Sequence, residues 1–160
     1  MTVNEARETE DRELRALQAA LAAEHAAVYG YGVVGGRIAK ERRTEARTAY
    51  DAHRARRDAL VREVRDAGGE PVAAAAGYAL PFPVQDAAAV RFAAELEGRV
   101  AGVYADLVRD SGGERRRGAA EAMREAAVRS VRWSGRSVAF PGLAERAGPA
   151  SKAPASPPTA

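Results

Sequence analysis

Four stretches of this 160-residue chain carry a helical apolar period, and their long Ala-rich runs with few β-branched residues favour helix over strand throughout. They fall near residues 10–37, 42–67, 86–110 and 115–139. At ~1.5 Å per residue each helix is roughly 35–40 Å long, and four rods of that length make a bundle rather than a globin-like stack. Their ends have local causes. Gly68-Gly69 stops the second, Asp86 is placed to cap the third, Gly112-Gly113 separates third from fourth, and Pro141-Gly142 ends the fourth.

The joints predict the topology. Short first and third connections make two antiparallel hairpins. Between them lies GGEPVAAAAGYALPFPVQ, whose Pro71, Pro81 and Pro83 break any continuous helix. Extended at ~3.3 Å per residue, this segment can run the full length of a helix, so the expected arrangement is up-down-down-up with one long crossover. A plain up-down-up-down bundle would need only a tight turn there. Residues 1–9 read as a flexible N-terminus, residues 10–143 as one bundle domain, and residues 144–160, with four prolines and no apolar period, as a disordered tail.

Composition narrows the function classes. With 46% hydrophobic and 29% charged residues the chain suits one globular core. The absence of cysteine excludes disulfides, thiolate metal sites and a cysteine nucleophile, and accords with a cytoplasmic setting. The charged opening MTVNEARETEDRELR has no secretory core, and no segment approaches the ~20 apolar residues of a membrane span, so no membrane partner is expected. A net charge of +3 and a pI near 9.6 hint at nucleic acid, but acids are interleaved with the cations in almost every helical stretch. Only Arg115, Arg116 and Arg117 form a run, and nucleic acid is not an expected partner.

A signature recurs. The first stretch reads AAEHAAVYGYG and the third LEGRVAGVYADL, so Glu24 precedes Tyr31, and Glu97 precedes Tyr104, by two helical turns. Acid and phenol therefore share one face, and the repeat suggests two related hairpins. With the crossover and the AYDAHRARRDAL segment, this pattern resembles the ferritin-like superfamily and is closest to a small actinobacterial ferritin-like family of unknown function. The resemblance spans roughly residues 12–140 and implies a glutamate from the first and third helices at a two-iron centre.

This chain departs from the superfamily's ligand set, which needs Glu-x-x-His on each of the other two helices. His53 lies on the stripe drawn by Ala46, Ala49, Leu60 and Val64, but three residues before it stands Tyr50. The fourth stretch has no histidine, and Glu121 and Glu125 lie far round from its apolar arc through Ala119, Met123, Ala126 and Trp133. Shifting His53 and Arg57 by the repeat interval lands on Ala126 and Ser130. The expectation is therefore no catalytic, cofactor or metal site. In its place a buried polar cluster of Glu24, His53, Arg57, Glu97, Tyr31 and Tyr104 is expected, with Arg57 and a protonated His53 neutralising the two carboxylates.

Other features read as structural. His25 lies on the flank of the first helix, the tyrosines pack as core with their hydroxyls partnered, and Trp133 fills the wide end of the bundle. Gly30, Gly32, Gly35 and Gly36 lack the strand and the Lys-Ser/Thr of a phosphate loop and instead read either as admitting a second helix closely or as marking a fraying helix end. The leading expectation is a non-catalytic ferritin-like protein with a degenerate metal site, structural or interaction-based, pairing as a homodimer through a helical face. One alternative is a residual iron- or manganese-binding oxidoreductase or iron-handling protein, using Glu24, His53, Glu97 and Glu125. The other is a basic nucleic-acid-binding module.

Overall fold

The computed structural model describes residues 2–137 and is all-helical there, with four long helices and no strand among the described residues. These are α1 (Val3–Arg37), α2 (Arg43–Asp66), α3 (Ala87–Asp110) and α4 (Gly113–Ser134), with a single 3-10 turn at Lys40–Arg42 leading into α2. No helix among the described residues is long and apolar enough to cross a membrane.

Two boundaries correct the sequence reading. Helix α1 begins at Val3, so residues 3–9, expected as part of a flexible N-terminus, are its first two turns. The cause is a reciprocal cap: Glu5 N–H donates to Thr2 Oγ1 at 3.2 Å, and Thr2 N–H donates to Glu5 Oε2 at 2.6 Å. At the other end α4 stops at Ser134, where Gly135 takes a left-handed conformation (φ 69°) and its N–H returns to the Val131 carbonyl at 2.7 Å. Pro141-Gly142 and the 144–160 tail lie outside the described residues.

Gly68 and Gly69 end α2 as expected, donating to the carbonyls of Arg65 and Val64, both at 2.9 Å. Asp86 does occupy the N-cap position of α3, but its side chain makes no capping bond; its backbone N–H instead donates to the Arg37 carbonyl at 3.3 Å.

The segment between α2 and α3 is strapped along α1. Gln18 holds its start, donating to the Glu70 carbonyl and accepting from Val72 N–H at 2.9 Å. Two and three turns further on, His25 Nε2 lies 3.0 Å from the Val72 carbonyl and Tyr29 packs on Tyr78 at 5.4 Å between centroids. Phe82 then meets Phe92 edge-on at 6.2 Å, with the Arg91 guanidinium over its ring, before the chain enters α3.

The core is drawn unequally from the four helices. Helix α1 buries Leu17, Leu21 and Val34, α2 Leu60 and Val64, and α3 Phe92, Leu96, Val100 and Leu107, each side chain worth roughly 1.5–3 kcal/mol against exposure. Helix α4 adds Ala119, Ala122, Ala126 and Trp133. α1 packs on α2 and α3, and α3 packs on α4. Between α2 and α4 the contacts are made by long arginines. Arg42 donates to the Arg132 carbonyl at 3.1 Å and lies over the Trp133 ring, Arg56 meets Glu125 at 3.1 Å, and Arg115 reaches Glu63 at 3.4 Å and Glu13 of α1 at 2.9 Å.

Gly30 is where a helix comes close, since a Cβ there would stand 2.8 Å from Leu96 Cδ2 and 3.3 Å from the Phe92 ring. Gly32, Gly35 and Gly36 have nothing within contact range.

A buried polar cluster as the candidate functional site

The two-turn repeat on α1 and α3 sets Glu24 and Tyr31 on one inward face and Glu97 and Tyr104 on another, and the phenols bond crosswise. Tyr31 Oη donates to Glu97 Oε1 at 2.5 Å, and Tyr104 Oη donates to Glu24 Oε1 at 2.7 Å. His53 of α2 stands between the two acids, with Nδ1 2.6 Å from Glu24 Oε2 and Nε2 3.0 Å from Glu97 Oε1. Its ring also stacks on Tyr31, with centroids 5.3 Å apart. Glu24, His53 and Glu97 are no more than 1% exposed.

With a carboxylate oxygen at each ring nitrogen, the imidazole is held as a double donor. Burial alone would lower its pKa, but the hydrogen bonds and negative charges of Glu24 and Glu97 outweigh that and raise it to about 9. Burial, reinforced by the adjacent carboxylates, pushes both tyrosine hydroxyls well above the usual phenol range, which keeps them as donors.

Arg57, expected as the internal counter-ion, is elsewhere. Its guanidinium turns out to Asp58, with Nε at 2.9 Å and Nη2 at 2.7 Å, where both charges stay in contact with solvent. The counter-ion comes from α4 instead: Arg129 Nε donates to Glu97 Oε1 at 2.8 Å, and its side chain is only 18% exposed. Two carboxylates thus face one imidazolium and one guanidinium, a neutral set drawn from all four helices. Trp133 closes it, donating Nε1–H to Tyr31 Oη at 2.8 Å.

Sequence reasoning missed Arg129 and the indole bond. A signal was present, because Arg129 falls three residues after Ala126 and four before Trp133, both on the apolar arc. Glu125, the fourth-helix acid of the residual-metal reading, lies outside the cluster, bonded to Arg56 at 3.1 Å with Arg129 Nη1 at 3.9 Å. His25 anchors the crossover strap. In the arginine run, Arg115 pairs with Glu13 and Glu63, Arg116 donates to the Val108 and Ser111 carbonyls, and Arg117 pairs with Glu114, so the run secures the start of α4.

The donor set does not fit two metal ions. Both nitrogens of the single histidine are spent on carboxylates, and Glu97 Oε1 already meets three donors. From α4 arrives a cation, and a guanidinium 2.8 Å from the ligand oxygen repels a dication at that spot. Glu97 Oε2 is the one buried side-chain oxygen without a protein partner among the described residues, and a lone oxygen is far short of a coordination sphere. No group of three or more metal-binding side chains is arranged to hold an ion among the described residues. Nor does the cluster offer acid–base or nucleophilic chemistry to a substrate, since its carboxylates and imidazole are closed off from solvent.

A family model described as a domain of unknown function, DUF4439, matches residues 16–145. The crystal structure of a conserved hypothetical protein, rv2844, from Mycobacterium tuberculosis is similar at 34% identity and a TM-score of 0.76, covering 78% of this chain and 96% of that one. No curated protein matches the chain.

Proposed function

The chain belongs to the DUF4439 family, and from that premise we propose that it is a non-catalytic, ferritin-like four-helix bundle in which a neutral polar cluster stands where the superfamily resemblance implies two metals. Its role is then structural or interaction-based, in the cytoplasm. The up-down-down-up order is supported by contacts at both ends. Near the end of α1, Tyr31 bonds Glu97 near the middle of α3 and Trp133 at the end of α4, and Arg42 ahead of α2 reaches Arg132. At the opposite end Arg115, in the first turn of α4, meets Glu13 of α1 and Glu63 of α2. Pairing as a homodimer belongs to the same reading and is supported by the open strip of Gly32, Gly35 and Gly36 on α1.

One observation carries the proposal: Arg129 Nε at 2.8 Å from Glu97 Oε1, with His53 bridging Glu97 and Glu24. A cation built into the chain satisfies these acids without an imported one. Thermal melts with ferrous iron or manganese added at a hundredfold range of concentrations test it. The expected result is an unchanged Tm, because only a ligand that binds the folded state raises stability, by about 2.7 kcal/mol at a hundred times its Kd. A rise of several degrees that disappears in Glu24→Ala would establish the residual-metal reading instead.

A further inference from the structure

The interleaving of acids and bases along the sequence does not survive folding. Residues 40–66 and 113–137, which hold α2 and α4, carry sixteen Lys/Arg against nine Asp/Glu, whereas the remaining described residues carry seven against twelve. The fold sets α2 and α4 beside one another through the pairs Arg56–Glu125, Arg115–Glu63 and Arg42–Arg132. The excess of seven positive charges, six once Arg129 is set against the buried Glu97 of α3, is thereby gathered on one side of the molecule. Seven positive charges on one side against five negative on the other leave the described residues at only +2, within an overall charge of +3.

We infer that the α2/α4 face binds the phosphodiester backbone of nucleic acid without reading its sequence. The chemistry on that face favours phosphate over other anionic surfaces. Arg62, Arg124 and Arg132 are exposed, and none of them forms an ion pair among the described residues. Exposed guanidinium forks match phosphate oxygens two at a time. A shallow cleft lined by Arg124, Glu125, Val128, Arg129 and Arg132 runs along α4.

An acidic protein partner would want an apolar centre to its footprint, and a membrane surface would want apolar side chains to insert. Of the five large apolar residues exposed among the described residues, only Val128 lies on this face; Val3 and Tyr29 are on α1, and Val72 and Leu80 are on the crossover. At ~1.5 Å per residue the two helices offer roughly 35 Å of positive surface, against one phosphate charge per ~1.7 Å of duplex axis. This surface deepens the interaction reading of the domain by naming a partner class. It does not depend on the buried cluster, so metal in the core would defeat that reading and leave this one standing.

Fluorescence anisotropy with a labelled 20-base-pair DNA duplex and a labelled 20-nucleotide RNA tests the inference on the full chain. Binding is expected at 50 mM salt, weakening at least tenfold by 200 mM as counterions are released. Reversing Arg62, Arg124 and Arg132 together to Glu should weaken it a further tenfold or more. The matched reversal of Arg7, Arg15 and Arg99, exposed on α1 and α3, should leave it within about threefold. Circular dichroism melts of both triple variants check that each is folded. No binding at 50 mM salt overturns the inference, as does equal sensitivity to the two triple variants. So does tighter binding to polyglutamate or to phosphatidylserine vesicles than to either nucleic acid, which would assign the face to an acidic protein or a lipid surface.

Discussion

Arg129, and not Arg57, neutralises Glu97. Arg129→Ala removes one of the two cations facing the buried acids and should destabilise the fold by roughly 2–4 kcal/mol, somewhat less than for a fully enclosed pair because the side chain keeps 18% of its exposure. Arg57→Ala loses only a solvent-screened contact with Asp58 and should cost less than ~0.5 kcal/mol. Urea unfolding of both variants checks the pair, and a larger loss for Arg57 would reverse the assignment. His53 gives a pH signature. Its folded pKa of about 9 lies above the ~6.5 of an unfolded histidine, so its stabilisation is whole below pH ~6.5 and is lost as pH rises toward 9. The loss should be up to about 3 kcal/mol, and His53→Gln should flatten the profile across that window. Glu24, His53, Glu97 and the two tyrosines could be read from the sequence because their spacing places them on buried faces. Arg129 was overlooked because helical angle locates a Cα, whereas a long side chain chooses its own direction from there.

Among the helices, the informative contrast lies within one glycine-rich turn of α1. Gly30→Ala drives a methyl to 2.8 Å from Leu96 and 3.3 Å from Phe92, both buried, and should cost roughly 1–3 kcal/mol. Gly32→Ala meets nothing and should stabilise the helix by about 0.5–1 kcal/mol. Thermal melts of the two variants should move in opposite directions, and a shared direction would mean that α1 and α3 are not in close contact at this point. The helices themselves were legible because apolar period and glycine stops agree at Gly68, Gly69 and Gly112. The early start of α1 was not, since its first turns bury almost nothing and apolar period is silent there. The Thr2-x-x-Glu5 cap was the available clue. The end of α4 falls short of the expected Pro141-Gly142 stop because Gly135, in the left-handed conformation, ends the helix first.

For the molecule as a whole, burial and charge have been separated. Acids that must be inside are balanced inside by His53 and Arg129, leaving the surplus arginines of α2 and α4 on the surface. Linear order hides this partition, because neutral-looking stretches become a charged face only when two helices are laid side by side. If the charges of the core balance internally, no metal is needed there, and elemental analysis of protein purified without chelator and then dialysed gives the answer. No transition metal should be found at stoichiometric level; two iron or manganese ions retained per chain would mean that the cluster is a metal centre and not an internally neutral set.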